Sequence, residues 1–347
     1  MASYILAVPA SADSPRILVL RFSSIGDVVL TTPLLRALKA RHPGAEISYV
    51  TKRAMAPLVS DHPAVNRVIA LEPGGSLPGL AASLRRLDFT HRLDLHGSLR
   101  ARLLRFLVPG TWTGFNHRRH ERSELIRHKR DIYPEARPVA ERYFEAAAEL
   151  DVKPDGAAAE LFVGPAALTR AAEWQHATGI GLQRRFAALA PGAAHNTKRW
   201  PAEHWIELAI TLSTDGFDLA MVGGPEDLEL CRQIVEASGV KAGVAAGAFG
   251  LQDTAALLRQ AAFAVSGDTG VMHMASASGT PVVALMGPTV RQFGFFPYQA
   301  AATVLERDLD CRPCSAHGSA ECPLGHHHCL RQLMPADVAA AIRHRPQ

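Results

Sequence analysis

Asp27 closes the segment RILVLRFSSIGD, in which an apolar run of strand character gives way to a helical pattern. A carboxylate at the end of a buried strand lies at the edge of a sheet where ligands bind. There it could take a proton from an attacking hydroxyl. Asp is also a favoured helix cap, and the two roles are compatible, because the helix dipole keeps a capping carboxylate ionised, as a base requires. Gly26 beside it permits a tight turn or the close approach of a substrate. A second chemical cluster, SGDTGVMH (266–273), follows the apolar run FAV and opens another helix. Thr269 and Gly270 would present free backbone N–H groups suited to a diphosphate. Asp268 could cap that helix or bind sugar hydroxyls, and His273 could face phosphate or sugar. A capped helix with a packed histidine is the plainer alternative.

The segment PGAAHNTKRWP (191–201) again follows a strand-like run, FAALA. Thr197 offers a hydroxyl donor and Lys198 a compact positive charge, both suited to phosphate, unless this is a solvated surface loop. In VGGPE (222–226) Glu226 could grip a ribose or simply favour a helix start. Neither GxGxxG nor a Walker A loop occurs, which disfavours nicotinamide chemistry and ATP hydrolysis. No cofactor is expected. Cys311, Cys314, Cys322 and Cys329 surround His326, His327 and His328. The later spacings match no common zinc module, so reduced structural thiols are preferred over a metal site. Arg100, Arg102, Arg105, Arg118, Arg119, Arg122, Arg127, Lys129 and Arg130 crowd residues 99–130. Such a run suits a phosphorylated sugar or an acidic membrane face, or it is only a solvated surface.

These groups must be held by alternating strands and helices. Strands are predicted over 16–23, 46–51, 67–71, 91–95 and 111–115. Helices are predicted over 27–41, 54–60, 77–87, 98–107 and 138–150. After a linker at 153–159 the alternation restarts, with strands at 186–190, 217–222, 244–246, 263–266 and 281–286. The intervening helices cover 169–178, 203–214, 226–238, 253–260 and 271–277. Short apolar strands joined by helices imply parallel, doubly wound sheets. The expected fold is α/β, with two Rossmann-like domains facing an interdomain cleft. The chain has 347 residues, 48% hydrophobic and 20% charged, with a formal charge of +4. That length suits two domains, and the charge is too small to indicate nucleic acid. No apolar run reaches the roughly 18 residues of a membrane span, and the start lacks a signal-peptide pattern. A cytoplasmic protein with a mobile leader at 1–15 is expected.

The blocks RFSSIGDVVLTTPLLRALKARHP, RLDLHGSLRARLL, PGAAHNTKRWPAEHW, VGGPEDLEL and SGDTGVMHMASASGTPVVALMGPT together resemble glycosyltransferase family 9, the ADP-heptose:lipopolysaccharide heptosyltransferases. The cysteine-rich tail is closer to heptosyltransferase II. The resemblance implies a GT-B fold, with an acceptor domain over 16–160 and a nucleotide-sugar domain over 161–334. A C-terminal helix in 335–347 would pack back toward the N-terminal domain. It also implies an inverting, metal-independent transfer of heptose from ADP-heptose to a lipid A–Kdo or heptosyl-Kdo acceptor, with contact at the inner membrane. Asp27 would be the base. Thr197, Lys198, Glu226, Asp268, Thr269, Gly270 and His273 would bind the donor. Ser24, Gly26, His96 and Arg100 would face the acceptor. Another nucleotide-sugar transferase or a non-catalytic sugar-phosphate binder are the alternative functions.

Overall fold

The structure is a computed structural model that describes residues 14–344. The predicted leader therefore lies outside the described residues, apart from Ser14 and Pro15. Two compact units divide the chain.

The first unit runs to His117 and resumes over Ala140–Ala157. It contains β1 (Arg16–Leu20), α1 (Ile25–Val29), α2 (Thr32–Arg41), β2 (Glu46–Lys52), β3 (Arg67–Leu71), α3 (Leu77–Arg85), β4 (His91–Asp94), α4 (Leu99–Leu107) and β5 (Trp112–Gly114). All strands are parallel, in the order β3-β2-β1-β4-β5. The order reverses between β1 and β4, so the loops after these two strands flank the ligand-binding crevice of such a sheet. Leu18, Leu20, Phe22 and Val50 form one core with Leu80 and Leu84 of α3 and Ala101 and Leu104 of α4. The helix predicted over 27–41 is broken at residues 30–31. Pro33 has no N–H to offer the preceding turn, and the Thr32 hydroxyl donates to the Val29 carbonyl instead, at 2.8 Å.

Residues 118–139 belong to the second unit, so the sequence-based boundary at 160 misses an excursion. The segment carries α5 (Arg119–His128) and ends at the start of α6 (Val139–Arg142). The Lys129 ammonium fastens it by donating to the carbonyls of Cys311 (3.0 Å) and Pro313 (2.6 Å). Its length and polarity conceal this in the sequence, since one buried residue, Leu125, anchors α5. The long helix predicted over 138–150 is instead α6 followed by 3-10 turns over Tyr143–Leu150, with a kink at Ala147.

The second unit continues with α7 (Pro165–Thr178), β6 (Phe186–Ala190), α8 (Ala202–Thr214), β7 (Asp218–Met221), α9 (Leu228–Ser238), β8 (Ala242–Val244), α10 (Leu251–Leu258), β9 (Phe263–Gly267), α11 (Gly270–Ala277), β10 (Val282–Met286), β11 (Ala302–Glu306), α12 (His328–Arg331) and α13 (Pro335–Arg343). Its six parallel strands run β11-β10-β9-β6-β7-β8. Every residue of β6, β9 and β10 is buried, which explains their unbroken apolar sequences. The half-buried edge strand β11 lacks that signal and was not predicted. The order reverses between β6 and β9, placing the loops after them at this sheet's switch point. The C-terminal helix, α13, is built into the second unit's core. Val338, Ala339 and Ile342 of α13 sit in the second unit's own core with Trp205, Leu208 and Leu212 of α8. Arg343 also pairs with Asp215 at 2.9 Å.

Candidate active site

In the first unit the loop after β1 enters α1 through Ser24, whose backbone N–H and hydroxyl both donate to Asp27 Oδ2, at 3.1 and 2.7 Å. The helix cap is therefore Ser24, two residues before Gly26. Asp27 sits inside the first turn of α1, where its carboxylate closes a capping box with Ser24 instead of capping the helix itself. This is one of several restraints on it. The Arg21 guanidinium lies 2.5 Å from Asp27 Oδ1 and also donates to the Leu95 carbonyl at the end of β4. Tyr143 lies over Arg21, 5.9 Å from ring centre to guanidinium carbon. Burial by itself would raise the Asp27 pKa, but the Arg21 charge and the Ser24 hydrogen bonds outweigh it and hold the carboxyl below its ordinary value. The side chain keeps 15% of its surface accessible. It is an ionised carboxylate, fixed in direction, with an edge still open.

Across the switch point, Asp94 ends β4 and accepts from the backbone N–H groups of His96 and Gly97, both at 2.9 Å. His96 meets Phe22 edge-on at 5.4 Å. Burial, with the nearby Arg21 charge, pushes its pKa down to about 4, so the ring is neutral near pH 7. Its Nδ1 is buried and unpartnered among the described residues. Arg100 stands exposed in the first turn of α4. The first unit therefore gathers Ser24, Gly26, Asp27 and His96 at one sheet edge, with Arg100 on the following helix.

In the second unit Lys198, after β6, pairs with Asp268, after β9, at 2.7 Å, with side chains 15% and 7% accessible. This pair spans the switch point. Asp268 also accepts from the Thr289 hydroxyl at 2.7 Å, so it is held by two partners and does not cap α11. Thr269 takes the cap position with extended backbone, and Gly270 opens the helix. His273, in the first turn, is buried. The β6 loop lies against the β9 end so closely that a Cβ at Gly267 would stand 3.0 Å from the Lys198 carbonyl oxygen. After β7, Asp227 supplies the turn's cap by accepting from Gly224 N–H at 3.0 Å. The structural role considered for Glu226 thus belongs to Asp227, and Glu226 remains exposed.

The family's sequence profile, glycosyltransferase family 9 (heptosyltransferase), matches residues 79–325. The chain belongs to glycosyltransferase family 9. It is 29% identical over 300 residues to lipopolysaccharide heptosyltransferase 2 of Escherichia coli K12, covering 80% of this chain and 84% of that one. Among solved structures it is similar to the family 9 glycosyltransferase of Veillonella parvula (TM-score 0.74, 27% identity, 84% of this chain and 86% of that chain). It is also similar to E. coli ADP-heptose lps heptosyltransferase II (TM-score 0.72, 26% identity, 94% and 97%). Its two parallel-sheet units place this glycosyltransferase in the GT-B fold class.

Within this family 9 chain the site differs from the sequence reading at Thr197. That side chain is buried, and its hydroxyl donates to the Ser319 carbonyl at 3.1 Å while accepting from Ser319 N–H at 2.8 Å. Its single proton is already committed. Thr197 braces the Lys198 loop and does not offer a phosphate donor. His327 contacts the Thr197 carbonyl at 2.9 Å through Nε2, which gives the cysteine-rich tail a supporting role. Its four cysteines are free thiols. Burial first, then the neighbouring thiols, raises Cys314 and pushes Cys329 up to about 11. Among the described residues no three His, Cys, Asp or Glu are arranged to hold a metal. Part of the basic run is internally consumed as well: Arg105 pairs with Asp94 (3.4 Å), Arg118 with Glu121 (3.2 Å) and Arg130 with Glu124 (2.6 Å). Sequence reasoning missed Arg21, Tyr143, Asp227, Thr289 and Ser319. Arg21 had one available signal, a lone cation inside an otherwise apolar strand run.

Proposed function

We propose that this glycosyltransferase moves heptose from ADP-heptose onto the inner core of lipopolysaccharide, with inversion and without a metal in the chemical step. The donor and the acceptor class come from the relatives, among them E. coli ADP-heptose lps heptosyltransferase II. The observation that carries the reading is Asp27, ionised, restrained through both oxygens and still partly accessible. The acceptor hydroxyl attacks the anomeric carbon and its proton passes to Asp27. The bond from that carbon to the diphosphate oxygen breaks, and ADP leaves with the electron pair. Attack opposite the leaving group inverts the centre. Lys198 and the backbone N–H groups opening α11 supply positive charge for the departing diphosphate, the part a divalent cation would otherwise play. Glu226 holds the nucleotide ribose, and Asp268, Thr269, Gly270 and His273 line the donor sugar and phosphates. Ser24, Gly26, His96 and Arg100 receive the acceptor. The lipid-borne acceptor makes this a cytoplasmic protein working at the inner membrane surface. No helix among the described residues is long and apolar enough to cross one.

The test is ADP release, with a chelator present, from ADP-heptose with and without a heptose-deficient core acceptor. Wild type releases ADP only when acceptor is added. Asp27→Asn lowers kcat by about 10² or more, the scale of a positioned general base. Turnover of Asp27→Asn near the wild-type rate removes Asp27 as the base. Acceptor-independent release, or none, sinks the transferase reading.

A further inference from the structure

Among the described residues nine large hydrophobic side chains are exposed, and three of them lie on α4: Leu99 (83% accessible), Leu103 (48%) and Phe106 (85%). The other six are scattered, none sharing an element with another. Positions i, i+4 and i+7 fall within about 60° of one another around a helix of 3.6 residues per turn. The same geometry puts Arg100 about 100° to one side of Leu99 and Arg102 about 60° to the other. The opposite side of α4 is anchored by Ala101 and Leu104 in the core. Arg85 fastens its C-terminal end by donating to the Leu107 carbonyl at 2.6 Å. α4 contains no acidic residue, and neither Arg100 nor Arg102 forms an ion pair among the described residues. Its outward face is therefore a rigid apolar stripe between two uncommitted guanidinium groups.

We propose that this face of α4 docks the protein on an anionic lipid bilayer. Leu99, Leu103 and Phe106 enter the boundary between headgroups and acyl chains, while Arg102 meets lipid phosphates on one side. Arg100, which the preceding reading gives to the lipid-borne acceptor, adds its charge to the same surface on the other. The charge pattern selects this occupant over a second copy of the chain. A two-fold contact would set arginine-flanked stripes against each other with no carboxylate to neutralise them. One nine-residue helix face is also far smaller than the roughly 800 Å² per partner of a stable protein interface. The proposal draws on the preceding reading only for its purpose, access to a lipid-borne acceptor.

Flotation of the full chain with phosphatidylglycerol-containing vesicles and with pure phosphatidylcholine vesicles tests it. Wild type partitions to the anionic vesicles more strongly, and high salt reduces the difference. The double variant Leu103→Ser/Phe106→Ser lowers partitioning about tenfold or more, and Arg102→Glu lowers it at least about fivefold. Both variants turn over an acyl-free acceptor fragment at the wild-type rate, which certifies their fold. In Phe106→Trp, tryptophan emission shifts to the blue on adding anionic vesicles. Equal partitioning of variants and wild type, equal binding to both vesicle types, no emission shift, or loss of a concentration-dependent dimer in the variants each overturns the proposal. Vesicle binding without transfer to any acceptor strikes the catalytic reading and leaves the docking surface standing.

Discussion

Asp27 and Arg21 form a nearly buried ion pair in which each partner determines the state of the other. A carboxyl held below its ordinary pKa stabilises the fold above that ordinary value, and the contribution is lost as pH falls through the lowered one. Arg21→Met removes the largest lowering influence and leaves burial, which acts in the opposite direction, opposed only by the Ser24 hydrogen bonds. The acid limb of the kcat/KM profile is then expected to move to higher pH, at a cost of about 3–5 kcal/mol in stability. Arg21→Lys restores the profile in part. A limb that does not move in Arg21→Met shows that Asp27 does not titrate in it. Lys198 and Asp268 pose the same problem in the second unit. Lys198→Met should destabilise by about 3 kcal/mol, because it strands a buried carboxylate. The double variant Lys198→Met/Asp268→Asn should recover most of that loss in chemical denaturation. Neither protein should bind ADP well by calorimetry, and wild-type ADP affinity in the double variant would remove Lys198 from the donor site.

The elements explain why these side chains stay where they are. The loop after β6 is short of regular structure, and three contacts from distant chain compensate. Ser319 engages the Thr197 hydroxyl and backbone N–H, the latter at 3.2 Å, and His327 engages the Thr197 carbonyl. Thr197→Val keeps the shape and removes the hydroxyl, leaving Ser319 N–H without its acceptor. A loss of about 1–3 kcal/mol is expected from such an orphaned group. KM for the donor should rise with kcat little changed, because the loop is displaced while the base is untouched. A fall in kcat with KM unchanged would place Thr197 in the chemistry instead.

The whole molecule is two separately cored sheets, and its ligands should report on them separately. The first unit centres on Leu18, Leu20, Phe22 and Leu104, the second on Trp205, Leu208, Phe263 and Val338. If the donor is held by the loops after β6, β7 and β9, ADP should slow amide exchange there. β1 and β4 should be nearly unaffected. Binding at about 100 times Kd adds about 2.7 kcal/mol of protection to the unit that binds. Hydrogen exchange read by mass spectrometry checks this, and protection centred on residues 16–30 would reverse the assignment of donor and acceptor units.

The sequence by itself determined the strand-helix alternation, the parallel sheets and the strand-end positions of Asp27, Lys198, Glu226 and Asp268. Each of these follows from local periodicity and from a polar residue type placed next to an apolar run. Tertiary structure alone decided the partners. Tyr143 lies 116 residues from the Asp27 it approaches, and Ser319 lies 122 residues from Thr197. Tertiary structure also assigned 118–139 and α13 to the second unit. Sequence order fixes the pattern of an element, but which distant group a charge or hydroxyl meets is set by how crossovers stack on a sheet. That stacking turned Asp27 into a restrained, ionised carboxylate and Thr197 from a presumed ligand into a brace.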